Sequence, residues 1–250
     1  MDCDLVYAWH APENSFRVQS VMGSYDLKEV KLEKRIRCSL PVERLKWQIG
    51  VITGLSGSGK TSIAKKFAEH FQGLYFTSFP YTQPCFLDDF PRELSTHDVE
   101  MALNSAGFSE PPSWLKSYNV LSTGQKMRVD VARALCSPEQ LVVFDEFTSV
   151  VDRTVAQIGS LAISKNVRRH PSKQFLAVTC HSDVIDWLEP DWSFCTDTNI
   201  FTDYTGTLQP GVTAYGTVME VKKNDVTRQS TSLSASVGVR CGRCLGSIII

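Results

Sequence analysis

The most specific chemistry in the chain lies in eight residues, Gly54-Leu55-Ser56-Gly57-Ser58-Gly59-Lys60-Thr61. They fit the pattern G-x-x-x-x-G-K-[ST] in full. They sit between a short apolar run, Trp47 to Thr53, and a segment with helical spacing at Ile63, Phe67 and Phe71. In that context the glycines let backbone N–H groups wrap phosphate oxygens, the lysine reaches the terminal phosphates, and the hydroxyl meets Mg²⁺. Lys60 and Thr61 take those parts here, and Ser62 follows in the first turn of the expected helix. A second feature is the apolar run Leu141-Val142-Val143-Phe144, which ends in Asp145 and Glu146. A buried strand ending in acids aims them at the carboxyl edge of a sheet. Asp145 suits a second contact to the ion, made directly or through water. Adjacent residues leave a strand on opposite faces, so Glu146 takes a separate role, as base for an attacking water. The third feature is a polar turn, Leu121-Ser122-Thr123-Gly124-Gln125, opening a helix. A helix start offers unpaired N–H groups and a partial positive charge, which favour an anion.

Positioning these groups takes alternating strands and helices. Strands are expected near Trp47–Thr53, Leu74–Phe76, Leu141–Phe144 and Phe175–Thr179. Helices are expected over Thr61–Phe71, from Ser95 to about Ala106, from the polar turn onward, over Asp152–Arg169 and over Asp183–Leu188. That alternation across residues 47–190 predicts a largely parallel sheet covered by helices. Residues 16–53 look β-rich, with Arg17–Met22 and Val30–Cys38 as the runs, and residues 1–15 give no pattern. Residues 73–93 hold proline–aromatic clusters and are expected to be mostly loop. From about residue 193 the periodicity fades into Thr, Ser and Gly, so 193–250 is expected to be a tail of unclear fold.

Composition narrows the classes. The chain has 250 residues, 42% hydrophobic and 21% charged, with a formal net charge of −1. There is no global charge case for nucleic acid or an anionic membrane. No apolar run is long enough to span a bilayer, and the first residues lack a signal peptide's basic start, so a cytoplasmic location is expected. The eight cysteines are scattered, several of them in apolar segments, which fits reduced thiols used as small hydrophobes. Cys241-Gly242-Arg243-Cys244 is a lone pair, short of the four ligands of a structural zinc site.

In order, these motifs resemble the ATP-binding cassette (ABC) ATPases. Gly54 to Thr61 resembles their phosphate loop and Leu121 to Gln125 their signature turn, with Thr123 where glycine is usual. Leu141 to Glu146 resembles the acidic strand, Ser149-Val150-Val151-Asp152 the D-loop, and His181 the switch histidine. The resemblance implies a P-loop NTPase of ABC type: an α/β fold with an N-terminal antiparallel β part and a helical subdomain. The stretch from Thr61 to Leu121 is short, so that subdomain is expected to be reduced. The ATPase domain would cover 1–192: a β-rich part at 16–53, phosphate loop and helix at 54–72, the reduced helical and signature part at 73–138, and acidic strand to switch histidine at 139–192.

The resemblance also implies Mg²⁺ and ATP as cofactors and a head-to-tail homodimer. Ser122, Gly124 and Gln125 of one subunit would then face the ATP held by Lys60 of the other. His181 would contact the γ-phosphate, Asp152 would help couple the two sites, and Tyr25 suits the residue that stacks on adenine. Gln83 is the nearest candidate for the family's metal-contacting glutamine, although it lies in a proline-rich loop. Asp88 or Asp89 could fill that region's role instead. The runs DEFTSVVDRTVAQIG and VTCHSDVIDWLEPDW are more narrowly similar to a small group of soluble ABC ATPases. That group is often joined to a GNAT-type acetyltransferase domain, which would make such a domain a partner. Residues 193–250 carry no clear acetyl-CoA loop.

Three rival functions are separable. The nucleotide-binding subunit of a membrane transporter needs a membrane partner encoded nearby. A coiled-coil chromosome ATPase needs long heptad arms, and none intervene here. A simple P-loop kinase has no use for Leu121–Gln125 or His181.

Overall fold

The computed structural model describes residues 1–10, 15–26 and 31–208. By contacts the chain divides into two units. Among the described residues the first holds 1–9 and 33–208, and the second holds 10, 15–26 and 31–32.

The first unit opens with β1 (Asp2–His10), which pairs with β2 (Lys31–Ser39) in a two-stranded sheet. Leu40 N–H donates to Met1 O at 2.8 Å, and Arg37 pairs with Asp4, so the two strands run antiparallel. The N-terminal β part is therefore present, but it starts in residues where no pattern was expected.

In the second unit, α1 (Phe16–Ser24) is a helix over the run expected to be a strand. Phe16, Val18, Val21, Met22 and Tyr25 include the i, i+3, i+4, i+7 spacing of a helix face, and this period prevails over the strand preference of the valines. None of its residues is buried.

The main sheet has six strands in the order β4-β5-β6-β3-β7-β8. Its members are β3 (Ile49–Thr53), β4 (Leu74–Phe76), β5 (Leu141–Phe144), β6 (Gln174–Thr179), β7 (Trp192–Cys195) and β8 (Ile200–Asp203). All neighbouring pairs are parallel except β7–β8. Every residue of β3 and β5 is buried, as befits parallel strands covered on both faces. Val51, Val142, Phe144, Phe175 and Ala177 face one apolar core, whereas Ile52, Val143, Leu176 and Val178 face another. Successive side chains alternate between faces, so each strand feeds both cores. The second core also contains Ile36, Cys38 and Leu40, which tie the two-stranded sheet to the main one.

Helix α2 (Lys60–His70) packs on that second core through Ile63, Ala64 and Phe67. Between β4 and α5 (Thr123–Leu135) lie two α-helices, α3 (Thr96–Ser105) and the four-residue α4 (Pro111–Trp114), with 3-10 turns at Phe86–Asp89 and Tyr118–Val120, so the helical part is small. Ser95 caps α3 in a capping box with Asp98. Helix α6 (Arg153–Arg169) and the short α7 (Val184–Leu188) complete the set.

The boundary expected at residue 192 needs correction. It falls inside β7, and β8 extends the sheet to Asp203. The buried side chains Trp192, Phe194 and Phe201 hold this hairpin on the second core, a signal masked by the Thr-rich turn between them. Cys241, Cys244 and the tail beyond residue 208 lie outside the described residues.

Candidate functional site

Three parallel strands deliver their carboxyl ends to one edge of the sheet. Thr53 of β3 aligns with Thr179 of β6, and Phe144 of β5 aligns with Ala177 of the same strand. The glycine loop, the Asp145-Glu146 pair and Cys180-His181 therefore all leave the sheet at the same edge, with β6 between the other two strands.

The loop is held by backbone shape and by anchors behind it. Gly54 has φ 147° and Gly59 φ 103°, conformations open to glycine. A Cβ on Gly59 would come within 2.6 Å of Ile36 Cδ1, and one on Gly54 within 2.0 Å of Thr196 Oγ1. Ser58, buried, shares a 2.6 Å hydrogen bond with Thr196 Oγ1. Leu55 N–H donates to Asp197 Oδ2 at 2.8 Å. Thr196 and Asp197 follow β7, a segment that no sequence motif singled out. The Lys60 amine donates to the carbonyls of Gly54 and Leu55, each at 2.8 Å, and the Lys34 amine donates to Gly57 O.

In front of the loop lies a cleft of ≈ 290 Å³, lined by Tyr7, Lys34, Ile36, Ser56, Gly57, Gly59, Lys60, Thr61, Ser62 and Glu146. Of the sequence-derived loop residues, Ser56, Gly57, Gly59, Lys60, Thr61 and Ser62 share one cavity with Glu146, whereas Gly54, Leu55 and Ser58 do not line it. Tyr7 and Lys34 join them from the two-stranded sheet. Tyr25 caps the C-terminal end of α1 in the second unit and is exposed.

Asp145 is buried at 2% exposure, and both its carboxylate oxygens accept a hydrogen bond. Glu146 N–H donates to Oδ1 at 2.9 Å, and the Tyr75 hydroxyl donates to Oδ2 at 2.7 Å. Burial, then the neighbouring Asp145 carboxylate, pushes the Tyr75 phenol well above its usual range, so it remains a donor. Glu146 is exposed, with φ 57°, and its Oε2 accepts from Ser149 Oγ at 2.7 Å. β5 ends at Phe144, so it is the left-handed backbone at Glu146, and not strand alternation, that separates it from Asp145.

These groups suit a Mg²⁺ ion bound with a nucleotide. Thr61 lines the cleft, and Asp145, whose carboxylate is fixed, directly precedes the cleft-lining Glu146. Among the described residues no three acid, histidine or cysteine side chains converge. A hard cation held by one or two protein oxygens, phosphate and water matches this donor set.

The remaining expected residues lie outside the cleft lining. Ser122 caps α5 in a capping box. Its N–H donates to Gln125 Oε1 at 3.0 Å, and its Oγ accepts from Gln125 N–H at 3.3 Å. Gly124 packs against α6, where a Cβ would meet Val155 Cγ1 at 2.5 Å. Asp152 caps α6 and accepts from Thr154 N–H and Val155 N–H, each at 3.0 Å. His181 is half-buried, with its backbone N–H on Thr179 Oγ1 at 3.1 Å. Gln83 is exposed in the loop after β4, where Asp89 accepts from its N–H at 3.3 Å. It lines a different and larger groove, of ≈ 1180 Å³, with Leu87, Asp88, Phe90, Val99, Trp114 and Leu115 among its walls.

A second buried carboxylate, Asp130 on α5, went unnoticed in the sequence. Tyr118 and Tyr81 donate to its two oxygens at 2.7 and 2.8 Å, and their rings stack 3.7 Å apart. Arg133 lies over Phe79 and Tyr81 at 5.0 and 4.9 Å and donates to Pro80 O. Burial raises the Asp130 carboxyl to about 6, against the lowering effect of its tyrosine donors.

No family model matches the chain. Over 140 residues it is 31% identical to the methionine import ATP-binding protein MetN 1 of Salmonella typhi, covering 54% of this chain and 40% of that protein. It is 33% identical over 102 residues to the methionine import ATP-binding protein MetN of Haemophilus ducreyi, covering 41% of this chain and 29% of that protein. The chain thus spans less than half the length of these curated relatives. Among solved structures, a dimeric bacterial ABC transporter cassette aligns at TM-score 0.48 and 16% identity, covering 68% of this chain and 89% of that one. At that score the alignment carries no weight below. The sequence relatives support the resemblance to ABC-type ATP-binding proteins at the level of the family.

Proposed function

We propose that the chain is an ABC-type ATPase that binds Mg·ATP in the cleft before the glycine loop and hydrolyses it. The observation that carries this reading is the shared cavity: Glu146 lines the same ≈ 290 Å³ cleft as Gly57, Gly59, Lys60 and Thr61. The Lys60 amine, now on the loop's own carbonyls, would exchange them for the terminal phosphate oxygens. The start of α2 adds free N–H groups and a positive dipole end. Thr61 and Asp145 would hold Mg²⁺, which when bound neutralises charge on the transferring phosphate. Glu146 would take the proton of the attacking water. His181, at the same sheet edge, would meet the γ-phosphate. Gln83 would have to leave its turn on Asp89 to reach the ion. Tyr7 lines the cleft and is a candidate for stacking on the base.

The N-terminus of α5 lies outside the cleft lining, which supports the second half of the proposal. Ser122, Gly124 and Gln125 would serve the ATP of a second subunit in a head-to-tail homodimer, with Asp152 linking the two sites. The driven partner would be an acetyltransferase-like domain or another soluble protein, and the location cytoplasmic. The alternative is the nucleotide-binding subunit of a membrane transporter. The import names of the relatives favour it, as does the large groove beside Gln83, which could receive a membrane subunit. Among the described residues no helix is long and apolar enough to cross a membrane, so that subunit would be a separate chain or segment.

Binding of a fluorescent ATP analogue, with phosphate release measured alongside, tests the reading. Wild-type protein is expected to bind and turn over only with Mg²⁺, and Lys60→Ala to weaken binding at least tenfold. Binding unaffected by Lys60→Ala would overturn it. Sedimentation in ATP tests the dimer: two subunits of a hydrolysis-blocked variant support it, and a monomer contradicts it.

A further inference from the structure

Asp145 carries the cation in the reading above, yet nothing in a strand end fixes how its carboxylate is turned. The structure supplies that constraint from the next strand. Tyr75 lies in the middle of β4, opposite Val143 of β5, and its hydroxyl reaches along the strands to Asp145 Oδ2 at 2.7 Å. The other oxygen is taken by Glu146 N–H at 2.9 Å, and Asp145 N–H itself donates to Phe76 O at 2.9 Å. Both oxygens of the carboxylate are thereby held, one from β4 and one from its own turn, and the backbone beneath is fixed to β4. The ring of Tyr75 is in turn covered by the Lys65 amine, 5.5 Å from its centroid. Lys65 belongs to α2, the helix that carries Thr61. Tyr75 therefore stands between the two elements that bear the cation's protein ligands.

We propose that Tyr75 is a positioning residue for the divalent-cation site, its hydroxyl fixing the Asp145 carboxylate at the angle that binds the cation. The inference rests on the Mg·ATP reading. It goes beyond it by naming a residue outside every motif of the sequence. A neutral O–H donor suits the task, because it orients a carboxylate without cancelling the charge that attracts the metal. Partners of this kind, removed one at a time, typically cost about 10–100-fold in metal affinity.

The test is nucleotide binding titrated with Mg²⁺ or Mn²⁺, wild type against Tyr75→Phe, read also in chelator without metal. The expected result is a cation half-saturation raised about tenfold, with metal-free nucleotide affinity within about twofold of wild type. In an Asp145→Asn background the same exchange should add nothing, because the hydroxyl acts through that carboxylate. A half-saturation unchanged in Tyr75→Phe overturns the inference, as does an equal shift in the Asp145→Asn background. Should Tyr75→Phe fail to fold, Tyr75→His replaces it, with a shifted half-saturation supporting the proposal and an unshifted one overturning it. Wild-type binding that ignores the cation overturns the reading of the site and this inference with it. Cation-dependent wild-type binding with an unshifted variant overturns the inference alone.

Discussion

Two buried aspartates, Asp145 at the end of β5 and Asp130 on α5, are held in much the same way. Each accepts from tyrosine hydroxyls, at 2.7 Å for Asp145 and at 2.7 and 2.8 Å for Asp130. Their surroundings differ. Asp145 is followed directly by Glu146, which is exposed and lines the cleft. Asp130 is sealed by the stacked rings of Tyr81 and Tyr118 and by Arg133 over Tyr81. Burial and tyrosine bonding therefore do not set a carboxylate's task; what lies beyond it does. One directly precedes the cleft-lining Glu146, and the other ties the loop after β4 to the helix behind the polar turn.

The same Asp→Asn exchange should separate them most sharply. Asp145→Asn is expected to weaken metal-coupled nucleotide binding by more than the roughly 10–100-fold that loss of an outer-shell partner costs, because it removes the charge of the ligand itself. Asp130→Asn should leave that binding within a few-fold. Equal losses in the two variants would erase the distinction drawn here.

Truncation should reverse the order for stability. Asp130→Ala leaves two half-buried hydroxyls without an acceptor and is expected to cost about 3 kcal/mol in urea unfolding. A cost under about 0.5 kcal/mol, no more than a neutral surface change, would show that the clasp holds nothing.

The pH dependence follows from the raised Asp130 pKa of about 6, against an ordinary value of 3.8. The folded state holds this proton more tightly than the unfolded chain. The resulting stability is full below the ordinary value and is lost as pH rises through about 6, a change of about 3 kcal/mol. Asp130→Asn cannot titrate. Its unfolding free energy should fall less than that of wild type between pH 4 and 7, and parallel profiles would contradict the assignment.

The smallest effect concerns the turn after Glu146. Asp152→Ala removes the two-bond cap of α6 and is expected to cost about 1 kcal/mol. If coupling between subunits also runs through Asp152, turnover should fall further than that loss of stability explains.

The contrast between the aspartates also marks what the sequence could show. The glycine loop, β3, α2, β5 and the helix starts at the polar turn and at Asp152 were legible because each is a local pattern. Glycines with positive φ, a run of buried apolar residues and a capping side chain are all written within a few positions. The residues that position the site were not legible. Tyr75, Thr196 and Asp197 touch Asp145, Ser58 and Leu55 only through sheet register, across 70, 138 and 142 positions of chain. Lys34 and Tyr7 reach the cleft from an N-terminal sheet whose first strand has no distinctive alternation. Asp130 sits among helical residues where an acid suggests a solvated face, and the two tyrosines that enclose it come from separate loops. The helix over Phe16–Ser24 was misread because valines favour strands, whereas the spacing of its apolar residues was helical.

The central claim, that Glu146 acts on ATP held by Lys60 in the same cleft, is tested most directly by Glu146→Gln. Binding of Mg·ATP and release of phosphate would be measured on the same preparation. The account predicts ATP affinity within a few-fold of wild type and phosphate release slower by roughly 10²–10⁴-fold, the usual contribution of a positioned base. Turnover equal to wild type with binding intact would contradict it.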